Sequence, residues 1–180
     1  MTRLALASTI LGALIVAGRL PGVLFPEKFR EFALKFPRSV WLGRVLMAIA
    51  AVWVWIVMYH AATDEWAWAR PLIVIGIPVA YWLVIQFGET FLAVRATAAL
   101  MLLIAKIMVD ATDASELASR LVVTVLAYLW VVAAAWMTIA PHQLRDAIQF
   151  MMANNTRCRL ACSIGAAVGA LLLALGMFVY

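Results

Sequence analysis

Residues 25–38 of the chain read FPEKFREFALKFPR, a pattern unlike the long apolar runs on either side. Four phenylalanines recur at helical spacing and fall on one face of a helix, while charged side chains cover the rest. Aromatic rings on one face and charges on the other are typical of a helix lying in a membrane interface. Residues 26–36 are therefore predicted to form an interfacial helix. The rings predicted to anchor it in the membrane are Phe25, Phe29, Phe32 and Phe36.

The chain as a whole is far more apolar than a soluble domain. Of 180 residues, 67% are hydrophobic and 13% are charged, whereas a soluble domain is about half apolar and about a quarter charged. The apolar residues form runs of about 20, the length that a helix needs to cross a bilayer. We predict an all-α integral membrane protein with six transmembrane helices in a single polytopic domain, residues 1–180. The predicted spans are residues 4–24, 39–59, 71–87, 91–109, 121–140 and 158–180.

A second, weaker amphipathic segment, PHQLRDAIQFMMA, begins at Pro141. Leu144, Ile148 and Met151 recur at helical spacing with polar residues between them, so residues 141–153 are predicted to be another interfacial helix. Both interfacial helices follow an odd-numbered span. We therefore expect them on the same side of the membrane.

Basic residues are distributed unequally between the two sides of the membrane. With six spans, ten of the fourteen lysines and arginines lie on the side of the interfacial helices. Because positively charged loops stay in the cytoplasm, we predict cytoplasmic interfacial helices and two non-cytoplasmic termini, in a multi-pass protein of the cell (inner) membrane. The same bias accounts for the net charge of +5, and no nucleic-acid partner is predicted.

An ungapped shift of 115 residues aligns the two amphipathic segments. Arg30 then meets Arg145, Arg44 meets Arg159, and Arg95 stands at a similar position at the start of the fourth span. Few of the aligned residues are identical, so the alignment fits either a real internal repeat or a chance similarity. If the repeat is real, the protein consists of three helical hairpins with the same orientation.

Arg44, Arg95 and Arg159 fall within a turn or two of the cytoplasmic end of their spans. Long basic side chains extend from such positions to the lipid headgroups, and this is the favoured interpretation. The alternative is that the three converge inside the bundle. In that case they would, with Arg30 and Arg145, bind an anionic headgroup, a substrate or a partner carboxylate.

Two further groups of residues are predicted to be structural. Lys106 and Asp110 lie four residues apart on one helix and are expected to form an ion pair near the outer surface. Ala161, Gly165 and Gly169 recur every four residues, a spacing that lets membrane helices approach closely. This helix-association stripe is expected to pack against the chain's own first or fifth span, or to form an oligomer or partner interface.

The sequence offers few residues for chemistry. Its two histidines, His60 and His142, are predicted on opposite sides of the membrane and so do not share a haem or a metal ion. Cys158 and Cys162 lie four apart on one predicted helix, where a disulfide is geometrically poor, and are expected to be packing residues. The sequence contains no catalytic triad, phosphate loop or dinucleotide motif. We predict no catalytic residue, metal site or cofactor, and we do not expect an enzyme; the alternative that stays open is an enzyme acting on lipid headgroups.

These features favour a non-catalytic structural, assembly or anchoring subunit of a larger inner-membrane protein complex. Almost no mass lies outside the predicted spans, which leaves little room for a substrate site. The alternative is a small oligomeric transporter or channel built from repeated helical hairpins. The lack of an acid at mid-span weakens that alternative for ion-coupled transport. The expected partners are the lipid bilayer and either other membrane-protein subunits or a second copy of the chain.

Overall fold

The computed structural model describes residues 2–62, 64–87, 91–113 and 120–180, which form helices and no strand. Six of the helices are long and apolar enough to cross a membrane, as the hydropathy of the sequence predicts. In chain order the helices are α1 (Arg3–Leu24), α2 (Pro26–Lys35), α3 (Val40–Ala61), α4 (Arg70–Phe87), α5 (Leu92–Asp113), α6 (Arg120–Ile139), α7 (Pro141–Met151) and α8 (Asn155–Phe178).

Local sequence explains where several of these helices begin. The hydroxyls of Thr2 and Ser39 each accept a hydrogen bond from the backbone N–H three residues on, at 3.1 and 3.3 Å, and thereby cap α1 and α3. Pro26 and Pro141 open α2 and α7, where the missing N–H has no helical partner to lose. A short 3-10 turn over Phe36–Arg38 then leads from α2 towards α3.

Helices α1 and α8 form the most extensive contact in the bundle and run antiparallel, with contacts from Thr2 and Tyr180 at one end to Gly22 and Cys162 towards the other. Their ends are joined where the Thr2 hydroxyl donates to the Tyr180 carbonyl at 3.1 Å. Glycines bring the two backbones together between the ends. A Cβ atom at Gly176 would lie 2.8 Å from the backbone nitrogen of Thr9. Small residues at the crossing allow this approach, and dispersion contacts between the backbones stabilise it.

Helix α5 lies at the centre of the bundle and packs against α1, α3 and α6. It buries mainly alanines, which let the neighbouring helices come close. At its contact with α3, a Cβ atom at Gly43 would lie 2.7 Å from the Ala93 nitrogen. The main buried cluster joins α1, α5, α6 and α8. Its members are Leu4, Leu11, Ala105, Met108, Ala111, Val123, Ala127 and Leu172.

The helices that pack together differ from the three hairpins of the repeat interpretation. Those hairpins would pair α1 with α3, α4 with α5, and α6 with α8. The extensive contacts instead join α1 to α8, α3 to α4 and α5, and α5 to α6. The first and last helices are therefore neighbours, and α4 stands at the edge of the bundle. Helix α4 packs mainly against α3 and buries none of its own residues.

Helices α2 and α7 contact each other and both contact α8, so they lie at one end of the bundle. A small buried cluster of Met152, Cys158 and Cys162 fills the junction of the three helices, with Phe29 and Ile148 packed against it. At the rim of this junction the Asn155 side chain donates to Glu27 Oε1 at 3.4 Å. Thr2 and Tyr180 meet at the opposite end.

Candidate functional site

The three arginines near the starts of α3, α5 and α8 are exposed. Arg44, Arg95 and Arg159 are not buried within the bundle. Because Gly43 packs on Ala93, Arg44 and Arg95 belong to helix turns that touch each other. The Arg44 carbonyl also accepts a hydrogen bond from the Tyr81 hydroxyl at 3.5 Å, which ties α3 to α4. The exposure of the three side chains fits contacts with headgroups or a partner.

Arg30 and Arg145 occupy different environments, although the 115-residue shift aligns them. Arg145 makes two charge-assisted hydrogen bonds to Asp146 Oδ1, from Nε at 2.9 Å and from Nη2 at 2.8 Å. Arg30 is half-buried, and its Nε is shielded from solvent without a hydrogen-bond partner in the described part of the chain. The two arginines therefore do not form a matching pair of sites.

The buried cysteines belong to the junction beneath α2. Cys158 and Cys162 are both fully buried and are not joined by a disulfide. The Cys158 thiol lies 3.9 Å from the Pro26 carbonyl, which it contacts as a weak donor. A Cβ atom at Gly22 would overlap the Cys162 sulfur, so this glycine makes room for the thiol. Within the described ranges, no three His, Cys, Asp or Glu side chains are grouped as metal ligands.

The four phenylalanines of the opening stretch do not share one environment. Phe25 and Phe32 are exposed, and the Phe36 ring lies 6.4 Å from that of Phe32. Phe29 instead points towards the protein, where its ring atoms would lie 2.9 Å from a Cβ at Gly22. On the predicted anchoring face, the rings of Phe25 and Phe32 are thus exposed, whereas the Phe29 ring packs α2 against α1 and α8.

The small-residue stripe of α8 faces α1 of the same chain. Gly169 is buried against Gly12, and Ala161 is half-buried next to Cys162 of the cysteine cluster. The Arg19 side chain crosses over Gly165, where a Cβ would lie 3.0 Å from its Nε. Of the two roles considered for this stripe, intrachain packing is the one that the contacts fit.

At the end of the bundle opposite α2 and α7, Lys106 Nζ donates to Asp110 Oδ2 within α5, and both side chains are about half exposed. Asp110 also lines one end of an apolar cavity of about 500 Å³ between α1, α3 and α5. Its other polar residue is Arg3, and Trp53 of α3 closes part of its wall. This cavity could not be predicted from the sequence, because only the fold shows that α1 and α3 are separated beside α5.

Comparison with known proteins assigns neither a family nor a function to this arrangement of residues. No protein-family model matches the chain, and no curated protein or solved structure matches it.

Proposed function

We propose that the protein is a non-catalytic structural, assembly or anchoring subunit of a larger inner-membrane complex. The observation that supports this best is the position of α4. This helix packs mainly on α3 and buries no residue of its own, so most of its surface is left for other molecules. A Cβ atom at Gly76 would meet nothing within 4 Å, which leaves a small-residue notch on that surface. Notches of this kind are where membrane helices associate.

The end of the bundle formed by α2 and α7 is proposed to be the cytoplasmic side. Ten of the fourteen basic residues belong to this side by sequence, and the exposed Arg44, Arg95 and Arg159 are among them. Helices α2 and α7 would then lie in the cytoplasmic interface, with the exposed rings of Phe25 and Phe32 in the lipid. Both termini would face away from the cytoplasm, since Thr2 and Tyr180 meet at the other end.

The transporter or channel alternative has less support from this arrangement. It needs polar side chains that converge on a path through the membrane, whereas the three arginines considered for that role are exposed. A homo-oligomer could still form such a path between copies. The experiment for the proposed function must therefore separate a foreign partner from a second copy of the chain.

Site-specific photo-crosslinking in intact membranes separates these cases. A photoreactive amino acid replaces Ile75 on α4 or, as a matched control, Ile164 on α8; the two side chains are 66% and 60% exposed. We expect the Ile75 probe to form a discrete adduct with a different polypeptide and the Ile164 probe to react with lipid. An Ile75 adduct with a second copy would support the alternative. Lipid adducts from both positions would contradict a docking role for α4.

A further inference from the structure

The cavity between α1, α3 and α5 has the dimensions of a site for one lipid chain. It opens beside α1 and is lined there by side chains from Arg3 to Leu14. Eleven helical steps correspond to a length of ~17 Å. One leaflet of the hydrocarbon core is about 15 Å thick. The cavity thus runs from the charged end of the bundle to about the middle of the membrane.

The walls of the cavity are apolar along this length. Leu6, Ile10 and Leu14 line it on α1, and Ile104 and Ile107 line it on α5. A transmembrane helix of about 10 Å diameter and this length would fill roughly 1,300 Å³, well above the cavity volume of about 500 Å³. The available space therefore suits a flexible hydrocarbon chain better than a partner helix.

The polar end of the cavity carries one charge of each sign. Arg3 makes no hydrogen bond or ion pair with the part of the chain that the structure describes. Asp110 accepts a hydrogen bond from Lys106, which leaves its second carboxylate oxygen available. An unpaired guanidinium binds phosphate oxygens with charge-assisted hydrogen bonds. A carboxylate beside it suits an ammonium group.

We propose that this cavity binds one phospholipid with an amine headgroup, a phosphatidylethanolamine, as a structural ligand. One acyl chain fills the space between α1 and α5. The phosphate accepts hydrogen bonds from Arg3, and the ammonium group donates to Asp110. This site is independent of the proposed subunit function, because it lies on α1, α3 and α5, away from the face of α4.

Native mass spectrometry of the full chain tests the proposal. The protein is purified in mild detergent, stripped of lipid, and titrated with phosphatidylethanolamine or phosphatidylglycerol of identical acyl chains. We expect one tightly bound phosphatidylethanolamine and weaker binding of phosphatidylglycerol. Arg3→Gln should weaken binding of both lipids about tenfold, since it removes a charge-assisted contact.

The proposed contact of the ammonium headgroup with Asp110 has a matched control, because the two members of the Lys106–Asp110 ion pair can be replaced separately. Asp110→Asn and Lys106→Gln both break the pair on α5, but only the first removes the carboxylate. Asp110→Asn should abolish the preference for phosphatidylethanolamine, and Lys106→Gln should retain it. Equal loss of preference in both variants would overturn the assignment of the ammonium to Asp110.

The contact of the acyl chain with the cavity is tested by a matched pair of substitutions at exposed residues. Ile10→Trp adds bulk inside the cavity, whereas Ile164→Trp adds it on an exposed part of α8. We expect the first to reduce lipid binding about tenfold and the second to leave it unchanged, with equal thermal stability of the lipid-free proteins. Unchanged binding in both Ile10→Trp and Arg3→Gln would overturn the proposal.

Discussion

The backbones of Gly12 and Gly169 are in direct contact. A Cβ atom at Gly12 would lie 2.7 Å from the Gly169 carbonyl oxygen, and one at Gly169 would lie 3.0 Å from the Gly12 carbonyl oxygen. This contact is reciprocal and lies near the middle of both helices. It holds the first and last helices together and so closes the bundle. Its dependence on glycine makes it directly testable.

Gly12→Ala should destabilise the protein by about 1–3 kcal/mol, because the added methyl group must displace backbone atoms of α8. Gly18→Ala on the same helix is the matched control, since a Cβ there meets nothing within 4 Å. That change should be neutral or stabilising by up to about 1 kcal/mol, from the better helix propensity of alanine. Thermal unfolding followed by tryptophan fluorescence in detergent measures both. Equal melting temperatures for the two variants would contradict the close contact.

Phe29→Ser and Phe32→Ser should have different effects. The Phe29 ring packs on the buried cluster of Cys158 and Cys162, so its loss should cost roughly 1–3 kcal/mol of stability in detergent. The Phe32 ring is 55% exposed, and its loss should leave stability in detergent nearly unchanged. If α2 lies in the membrane interface, Phe32→Ser should lower stability in lipid discs more than in detergent. A larger loss for Phe32→Ser than for Phe29→Ser in detergent would refute this division of roles.

The Thr2 hydroxyl makes two hydrogen bonds. Removing its oxygen without changing the shape of the side chain should therefore lower the stability of the protein. The hydroxyl accepts a hydrogen bond from the Ala5 nitrogen and donates one to the Tyr180 carbonyl. Thr2→Val preserves the shape but removes both bonds and should destabilise the protein by about 1 kcal/mol, as expected for an N-cap. Thr2→Ser retains the hydroxyl and serves as the control. Chemical denaturation in mixed micelles can compare the two, and similar stability of both variants would show that the cap contributes nothing.

The proposed orientation can be measured with added cysteines, because the two native thiols are fully buried. Asn154→Cys lies beside α7 and Val179→Cys lies near the C-terminal end of α8, both at exposed positions. A membrane-impermeant maleimide applied from the non-cytoplasmic side should label Val179→Cys alone. Lysed membranes should show labelling of both variants and none of the unmodified protein. Labelling of Asn154→Cys from outside would reverse the orientation.

The spans could be predicted from sequence because crossing a membrane is a local property. A run of about 20 apolar residues is long enough to span the bilayer whatever its neighbours are, and α2 and α7 likewise begin at the prolines that mark them. The pairing of α1 with α8 is different. It depends on glycines far apart in sequence, such as Gly12 and Gly169, and helical spacing alone does not show which helix a small residue will meet.

The candidate sites were less predictable than the helices for a related reason. Helical periodicity places Phe29 and Phe32 on one face of α2, but it does not show which ring packs against the protein and which is exposed. That difference depends on where α8 and its cysteines lie. The apolar cavity at Arg3 and Asp110 likewise results from the separation of α1 from α3. By contrast, the ion pair of Lys106 and Asp110 is formed within one helix, and the structure contains it.

The mass of the assembly in native lipid tests the proposed function most directly. The full chain, expressed at its natural level, is extracted with its surrounding bilayer into polymer-bounded discs and weighed by native mass spectrometry. We predict a particle that contains this chain and a different membrane protein at a fixed ratio, and that loses this partner when Ile75 and Gly76 on α4 are replaced by bulkier residues. A lone monomer, or an oligomer of this chain only, would contradict the proposal that it is a subunit of a larger complex.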